Sequence, residues 1–264
     1  MRQSARLSGL LVASFVSARL FAADRIAAAG GDIEITPIIH SSVQLEHAGR
    51  VVQVDPWSLG DLSHAKSADL ILVTDDPGHH LDLKAIQQVR KTGAPVILPP
   101  AAQSKFHDGT PLANGERKTF AGIFVEAIPA YDIKPGEPSH PKGKANGYLV
   151  TLGGKRIYFS GVTECVAEIR ALKNIDVAFM PMNLPLDRMT PAATAECVKA
   201  IRPAVLYLYH YDQDYASRLT DPRAPAQSSA NDRIGESLQS LKDALRGQPI
   251  EVRMGNWYPP IVGK

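Results

Sequence analysis

The feature of this sequence that most limits its fold is a series of short, continuously apolar runs that recur between helical patterns. Two such runs lie within the predicted strands 69–74 and 95–98 of the first half, and two lie at 177–180 and 205–209 in the second. A strand that is covered on both faces is apolar at every position rather than at alternate ones. The runs therefore predict buried strands of an α/β fold.

Hairpin and helix signals in both halves predict the layers around these strands. Strands are also predicted over 33–39 and 51–54, and the turn Gly153-Gly154 predicts a hairpin. Helices are predicted over 83–92 and 164–172, from Pro191 with Thr190 as its cap, and over 232–245, with a loop over 212–230. Because both halves combine hairpins with strand–helix units, we expect an α/β four-layer αββα sandwich, two sheets face to face with helices outside.

The first 18 residues have the pattern of a signal peptide. Arg2 and Arg6 precede an apolar run from Leu7 to Ala18, with small residues at the end of that run. The run is too short to cross about 30 Å of hydrocarbon as a helix but suits a signal-peptide core; the alternative is a buried N-terminal helix. We expect a signal peptide over 1–18, one domain over 19–264, and a periplasmic or secreted protein without a membrane span.

The charge balance argues against a nucleic-acid partner. The formal net charge of +2 comes from the two leader arginines, so cleavage would leave a neutral chain. That chain has no run of Lys or Arg, and nucleic-acid binding needs such a basic surface. We expect a small-molecule partner instead.

Cys165 and Cys197 are the two cysteines of the chain. An oxidising compartment would allow a disulfide between them, but their spacing in the sequence does not show that their Cα atoms come close enough. The simpler interpretation is two buried thiols on helices. Neither cysteine belongs to a zinc-binding motif of the CxxC type.

The loop after the apolar run 69–74 carries the densest set of ligand types. Residues 74–82 contain three carboxylates, Asp75, Asp76 and Asp82, and two imidazoles, His79 and His80. Such side chains bind zinc or manganese, but Asp and Gly also serve as ordinary turn and capping residues. Polar residues follow two further strands, at 161–164 and at His210, and we expect the three strand ends to converge.

These segments together resemble the metallo-β-lactamase superfamily, and in particular its lactonase-like and phosphodiesterase-like zinc-dependent hydrolases. The resemblance covers most of the chain after residue 18, in matching order and spacing. It is carried by these segments: Ile39-His40-Ser41-Ser42, Val54-Asp55-Pro56, 70–74, Pro129-Ala130-Tyr131-Asp132, 154–161, 175–181, and Leu208-Tyr209-His210-Tyr211. The resemblance implies the αββα fold.

The metal-binding motif departs from the one that the resemblance implies. Family members carry His-x-His-x-Asp-His after the buried strand, whereas here Asp75 stands at the first His, Pro77 at the second and His79 at the Asp. His80 matches the last His of the run. The motif is therefore degenerate.

The other ligand positions of the family are kept unevenly. Val162 occupies the position of the Asp that bridges two metals, and His210 matches the late His. A further family His in mid-chain has no match, because Tyr131 and Asp132 occupy that neighbourhood. The resemblance thus implies one zinc ion at most, bound by His79, His80 and His210, and His40 is expected only to pack near the first hairpin.

Two functions follow from this degenerate site. The first is a metal-dependent hydrolase of a lactone, amide or phosphoester, in which zinc activates water and Asp75 or Asp76 is the general base. The second is a non-catalytic binding protein that keeps the fold without a metal. A fold alone does not decide between them.

Overall fold

Two seven-stranded sheets form the described part of the chain, residues 23–134, 140–223 and 233–254 of a computed structural model. The predicted signal peptide at 1–18 lies outside these residues. The first sheet contains β1 (Asp24–Ile26), β2 (Ile33–Ile39), β3 (Ser42–His47), β4 (Arg50–Val54), β5 (Leu70–Leu72), β6 (Val96–Leu98) and β7 (Thr110–Pro111). The second contains β8 (Arg117–Phe120), β9 (Ile123–Ala130), β10 (Ala145–Leu152), β11 (Lys155–Phe159), β12 (Val177–Pro181), β13 (Val205–Tyr209) and β14 (Glu251–Arg253).

The two sheets have the same topology. In each, the strands are neighbours in chain order, the first three pairs are antiparallel, and the last three pairs are parallel. Hairpins can join antiparallel strands directly, whereas parallel strands need a crossover connection. The predicted combination of hairpins and strand–helix units in both halves is confirmed.

Helices cover the outer faces of the sheets. They are α1 (Leu83–Val89), α2 (Ala167–Arg170), α3 (Pro191–Ile201), α4 (Gln213–Thr220) and α5 (Ile234–Ala244). Strand β5 shows the layering: Leu70 and Leu72 join the core between the sheets, while Ile71 and its neighbour Val73 pack against the apolar face of α1. The predicted four-layer αββα sandwich is confirmed.

Helix α4 corrects the loop predicted over 212–230. The two prolines of that segment, Pro222 and Pro225, both follow Asp221, so the eight residues of α4 contain nothing that breaks a helix. Ala216 on α4 packs against Trp57 and Ile39, a contact that sequence periodicity could not show. The helix predicted over 164–172 is likewise shorter, Ala167–Arg170. None of the helices in the described ranges is long and apolar enough to cross a membrane.

A disulfide joins Cys165 and Cys197, and thereby ties the segment before α2 to α3. The expectation of two buried thiols is wrong. The Cα atoms lie 5.6 Å apart, within the range that a disulfide requires, because the α2 and α3 regions pack on the same sheet. The proximity of the two cysteines depends on tertiary structure, so their spacing in the sequence does not predict it.

Reduction of this disulfide is expected to lower the free energy of unfolding by about 3–4 kcal/mol. A cross-link between residues 32 positions apart restricts the unfolded chain, and a loop of that length gives this magnitude. Urea unfolding with and without reductant measures the effect. The Cys165→Ser/Cys197→Ser double variant is the control, because it should respond to reductant by less than about 0.5 kcal/mol. Equal unfolding midpoints for the oxidised and fully reduced parent would contradict the prediction.

Candidate metal centre

Four histidines meet at the edge of the sandwich where the parallel strands end. His79 and His80 follow β5, His210 directly follows β13, and His40 lies in the turn between β2 and β3. The ring centroids of His40 and His210 lie 3.8 Å apart, those of His79 and His80 4.4 Å, and those of His80 and His210 5.2 Å. His79 is partly exposed, and the other three are buried. We call these four residues the histidine cluster.

The end of β11 reaches the same edge, as the sequence predicted. A Cβ placed on Gly161 would lie 3.3 Å from the Cβ of Thr74, in the loop after β5. The Gly161 amide donates to the hydroxyl of Tyr209 at the end of β13, at 2.6 Å. The three strand ends therefore converge.

Local backbone geometry fixes two of the histidines. His40 and His210 both have positive φ angles, 54° and 50°, a conformation that is uncommon for residues other than glycine. The His210 amide donates to the His40 carbonyl at 2.9 Å. Strained residues persist where the surrounding structure holds them, and they concentrate at functional sites.

Buried carboxylates orient two imidazoles of the cluster. The His40 Nδ1 donates to Asp212 at 2.8 Å, and the His80 Nδ1 donates to Asp55 at 2.7 Å. A carboxylate accepts hydrogen bonds only, so the proton lies on Nδ1 in each ring. Asp55 is itself fixed by the amide and hydroxyl of Thr74, at 2.7 and 2.6 Å. In the neutral form each ring therefore keeps its Nε2 lone pair free, the arrangement found in metal-binding histidines.

The free nitrogens converge on a small volume. His40, His79 and His210 each offer a nitrogen, and these atoms lie within 4.8 Å of one another. The Nε2 atoms of His80 and His210 are 3.3 Å apart, about the separation of two nitrogens bound to one tetrahedral zinc at 2.0–2.1 Å. The buried His40 Nε2 has no hydrogen-bond partner among the described residues. This donor set fits one zinc ion.

Burial keeps two rings of this cluster, His79 and His210, unprotonated at neutral pH. The pKa values of His79 and His210 are held well below the usual value, chiefly by burial and further by the charges of the neighbouring imidazoles. A metal ligand must be a neutral imidazole. At pH 7 the two rings can therefore bind a cation without first losing a proton.

A second buried cluster connects three loops beside the histidines. His140 Nε2 lies 3.0 Å from the Asp75 carboxylate, and His140 Nδ1 lies 3.5 Å from the Asp132 carboxylate. Arg188 forms an ion pair with the Asp132 carboxylate. We call Asp75, His140, Asp132 and Arg188 the ionic chain. It connects the loop after β5, the segment between β9 and β10, and the loop after β12.

Comparisons with known proteins agree with this architecture. The sequence profile of the beta-lactamase superfamily domain matches residues 34–210. The chain belongs to the beta-lactamase superfamily. A UPF0173 metal-dependent hydrolase of Thermus thermophilus is 27% identical over 192 residues, which cover 68% of this chain and 84% of that protein.

Two solved structures are similar to this chain. A protein of Parabacteroides distasonis assigned as a metal-dependent hydrolase is 36% identical, with a TM-score of 0.75 over 90% of this chain and 100% of that chain. Igni18, a metallo hydrolase of the archaeon Ignicoccus hospitalis, is 21% identical, with a TM-score of 0.63 over 84% and 94% of the two chains. The second likeness supports the metallo-β-lactamase fold alone.

The predicted ligand set and the observed cluster overlap without being identical. The structure brings together His79, His80 and His210, as predicted, and adds His40, for which we expected only a packing role. In the sequence, His40 belongs to one of the segments that resemble the superfamily. Its side chain approaches His210 only because the turn between β2 and β3 folds over the end of β13. His80 remains available through its Nε2.

Pro77 and Val162, at which we expect superfamily ligands to be lost, have structural roles. The Pro77 carbonyl accepts the amides of His80 and Leu81, at 2.8 and 2.9 Å, and so starts the turn that presents the histidines. Val162 is buried in the core between the sheets. Neither side chain offers a metal ligand, and one metal at most stays a prediction.

His140 was missed by the sequence analysis. The mid-chain position was assigned to Tyr131 and Asp132, and His140 lies eight residues further along the chain than Asp132. The His140 amide nevertheless donates to the Asp132 carboxylate at 2.9 Å, because the chain returns to the same point before β10. A basic residue between two acidic loops could have suggested the pairing, but its partners are far apart in sequence.

The two predicted general bases lie in different environments. The Asp75 side chain is fully buried, and its pKa is lowered: burial raises it, but the hydrogen bond to His140 and the charge of that imidazole outweigh this effect. Asp76 lies nearer the surface, where its carboxylate is 2.8 Å from Lys105 and 3.6 Å from Lys144. Asp75 is therefore an ionised carboxylate beside the cluster, and Asp76 is paired with lysines.

His140 should make stability depend on pH between about 6.5 and 9. Burial alone would lower its pKa, but Asp132 and Asp75 raise it to about 9 from the ordinary 6.5. The ionic chain therefore contributes up to about 3 kcal/mol below pH 6.5, and this contribution is lost as pH rises through 9. Unfolding free energies are measured for the parent and for His140→Gln in the presence of a chelator. The two values should differ most at pH 6 and least at pH 9.5.

Exposed His107 provides the control for this measurement. His107→Gln should leave the pH profile of the parent unchanged within about 0.5 kcal/mol. The substitution also lowers the unfolding free energy by leaving Asp75 without its partner. This loss does not change with pH, so it can be separated from the contribution of His140 titration. A difference between parent and His140→Gln that stays constant from pH 6 to 9.5 would refute the assignment.

Proposed function

We propose that this chain is an exported hydrolase that depends on one metal ion, zinc, held by the histidine cluster. The observation that carries the proposal is the convergence of imidazole nitrogens in the histidine cluster, two rings of which are fixed at Nδ1 by Asp212 and Asp55. The names of the relatives, metal-dependent hydrolases, support the same reaction class.

Zinc, when bound, supplies a Lewis acid and lowers the pKa of its water towards neutrality. The chain's own groups do the rest. Asp212 and Asp55 hold His40 and His80 in the tautomer that binds a metal. Asp75 accepts the proton of the attacking water on its carboxylate, and His140, bound to that carboxylate, stabilises it in its ionised form between turnovers.

The surroundings of the cluster favour a small, polar substrate. His40, His80 and His210 are buried and His79 alone is partly exposed, so a substrate approaches along the His79 side. Lys105 and Lys144, from two other segments, form ion pairs with Asp76 of the His79 loop, and their charge attracts electronegative groups. A lactone, an amide or a phosphoester meets these requirements, each with an oxygen next to the bond that is cleaved.

Export is supported by the leader pattern and by the disulfide. A signal peptide over 1–18 would place the remaining chain in the periplasm or outside the cell, where disulfides persist. The mature N-terminus is then expected near Arg19. Mass spectrometry of the protein from the periplasm and the culture medium measures it, and intact Met1 on cytoplasmic protein would contradict export.

A binding protein without catalytic activity is the second candidate, and the loss of ligand positions at Pro77 and Val162 favours it. The decisive experiment measures zinc in the purified full-length chain and hydrolysis of a panel of lactones, amides and phosphodiesters. The hydrolase requires close to one zinc per chain and turnover that a chelator abolishes and zinc restores. Zinc-free protein without turnover would support the binding protein instead.

A further inference from the structure

Asn183 lies at the same edge of the second sheet as the histidine cluster. Strands β12 and β13 are parallel, with Pro181 next to Tyr209. The following residue of β13 is His210, and Asn183 lies two residues beyond Pro181. Adjacent strands are about 4.8 Å apart, so the loop that follows β12 starts beside the end of β13, where His210 lies.

The Asn183 side chain is buried with its hydrogen-bonding capacity unused. The residue is 2% exposed, and neither its Oδ1 nor its Nδ2 has a partner among the described residues. Leaving a buried amide unsatisfied costs about 1–3 kcal/mol, and native structures rarely tolerate it without a reason. Asn183 is unusual because both of its polar atoms are unpaired.

The loop that carries Asn183 is held in a strained conformation. Asn183, Leu186, Asp187 and Met189 all have positive φ angles, and such residues are maintained where the structure enforces them. The Asn183 amide donates to the Met189 carbonyl at 2.8 Å, which closes the loop.

Charged groups anchor this loop to the neighbouring segments. Arg188 binds the Asp132 carboxylate of the ionic chain and the Pro185 carbonyl. Lys134 donates to the Leu186 carbonyl at 2.7 Å. The loop is therefore fixed from both sides, and two cations lie along it. A fixed carboxamide with unpaired polar atoms, on a loop that is anchored by cations, is suited to an anionic group with acceptor oxygens.

We propose that Asn183 is a substrate-binding residue, whose Nδ2 donates a hydrogen bond to an oxygen of an anionic phosphoryl or carboxylate group held beside the histidine cluster. This inference rests on the proposed function for the identity of the site but concerns a different residue. It also favours an anionic ester among the substrate classes. Inorganic phosphate is the simplest probe of the shared chemistry.

The test is phosphate binding to the full-length chain, with and without zinc. The side-chain amide signal of Asn183 in a ¹⁵N–¹H spectrum is assigned by its loss in Asn183→Asp. Phosphate should shift this signal in the parent, and its dissociation constant should rise at least 10-fold in Asn183→Asp and in Asn183→Gly. Glycine accepts a positive φ angle, so Asn183→Gly removes the amide while the loop keeps its conformation.

Asn174 provides a matched control, because it too has a positive φ angle (55°) and is exposed away from the cluster. Asn174→Gly should bind phosphate as the parent does, and all variants should keep the parent's zinc content. Phosphate binding that Asn183→Gly leaves unchanged, or a parent that binds no phosphate, would overturn the inference. A parent that holds no zinc but binds phosphate through Asn183 would overturn the proposed function and leave this inference standing.

Discussion

His210→Ala is expected to weaken zinc binding at least about 100-fold and to abolish hydrolysis. His210 contacts His80 through its Nε2, and its ring lies closest to that of His40, so its loss removes a donor from the centre of the cluster. Changing even an outer partner of a metal-binding histidine costs about 10–100-fold in affinity, and losing the ligand itself should cost more. Competition with a chromophoric chelator measures the zinc affinity of each variant.

Further variants identify which imidazoles bind the metal. His40→Ala and Asp212→Asn should each weaken zinc binding, the second by about 10–100-fold, because Asp212 orients His40. Exposed His107→Ala is the control and should bind zinc as the parent does. If His80→Ala loses zinc and His40→Ala does not, then the set predicted from sequence, His79, His80 and His210, is correct. Parental zinc affinity in His210→Ala would show that the cluster is not the metal site.

The fold could be predicted because its determinants are local. The apolar run before Thr74 has the length of a buried strand, Gly153-Gly154 forms the predicted hairpin turn with φ angles of 52° and 77°, and the Thr190 side chain caps α3. These features depend on neighbours in the chain. Helix α4 could not be predicted, because what stabilises it includes the contact of Ala216 with Trp57.

The site was only half predictable for the same physical reason. His79 and His80 follow a recognisable strand, and His210 ends another. His40 joins them through the turn between β2 and β3, and its role depends on Asp212, which is 172 residues away in sequence. His140 likewise finds Asp75 and Asp132 only in the folded chain. The side chains around a histidine in the folded protein decide whether it can bind a metal or form an ion pair, and a local sequence pattern does not reveal them.

Val162→Asp is expected to lower the free energy of unfolding of the metal-free protein by about 3–5 kcal/mol. Val162 is 3% exposed and belongs to the core between the sheets. A carboxylate there is buried without a counterion, and an uncompensated buried charge costs about this amount. Urea unfolding in chelator measures the loss. Val162→Thr is the matched control, because threonine is similar in size to valine and adds a hydroxyl without a charge. Its free energy of unfolding should fall by less.

The effect of added zinc on the stability of two variants then distinguishes a one-metal site from a two-metal site. In the single variant, added zinc should not recover the lost stability, because Pro77 still offers no ligand and Asp75 remains paired with His140. In the triple variant Pro77→His, His79→Asp, Val162→Asp, zinc should restore stability and raise the bound metal above one per chain. The new carboxylate can then bind between two cations, and a pair of metals can stabilise both the attacking and the leaving oxygen. Two zinc ions bound tightly by the parent itself would show that ligands other than the histidine cluster hold a second metal.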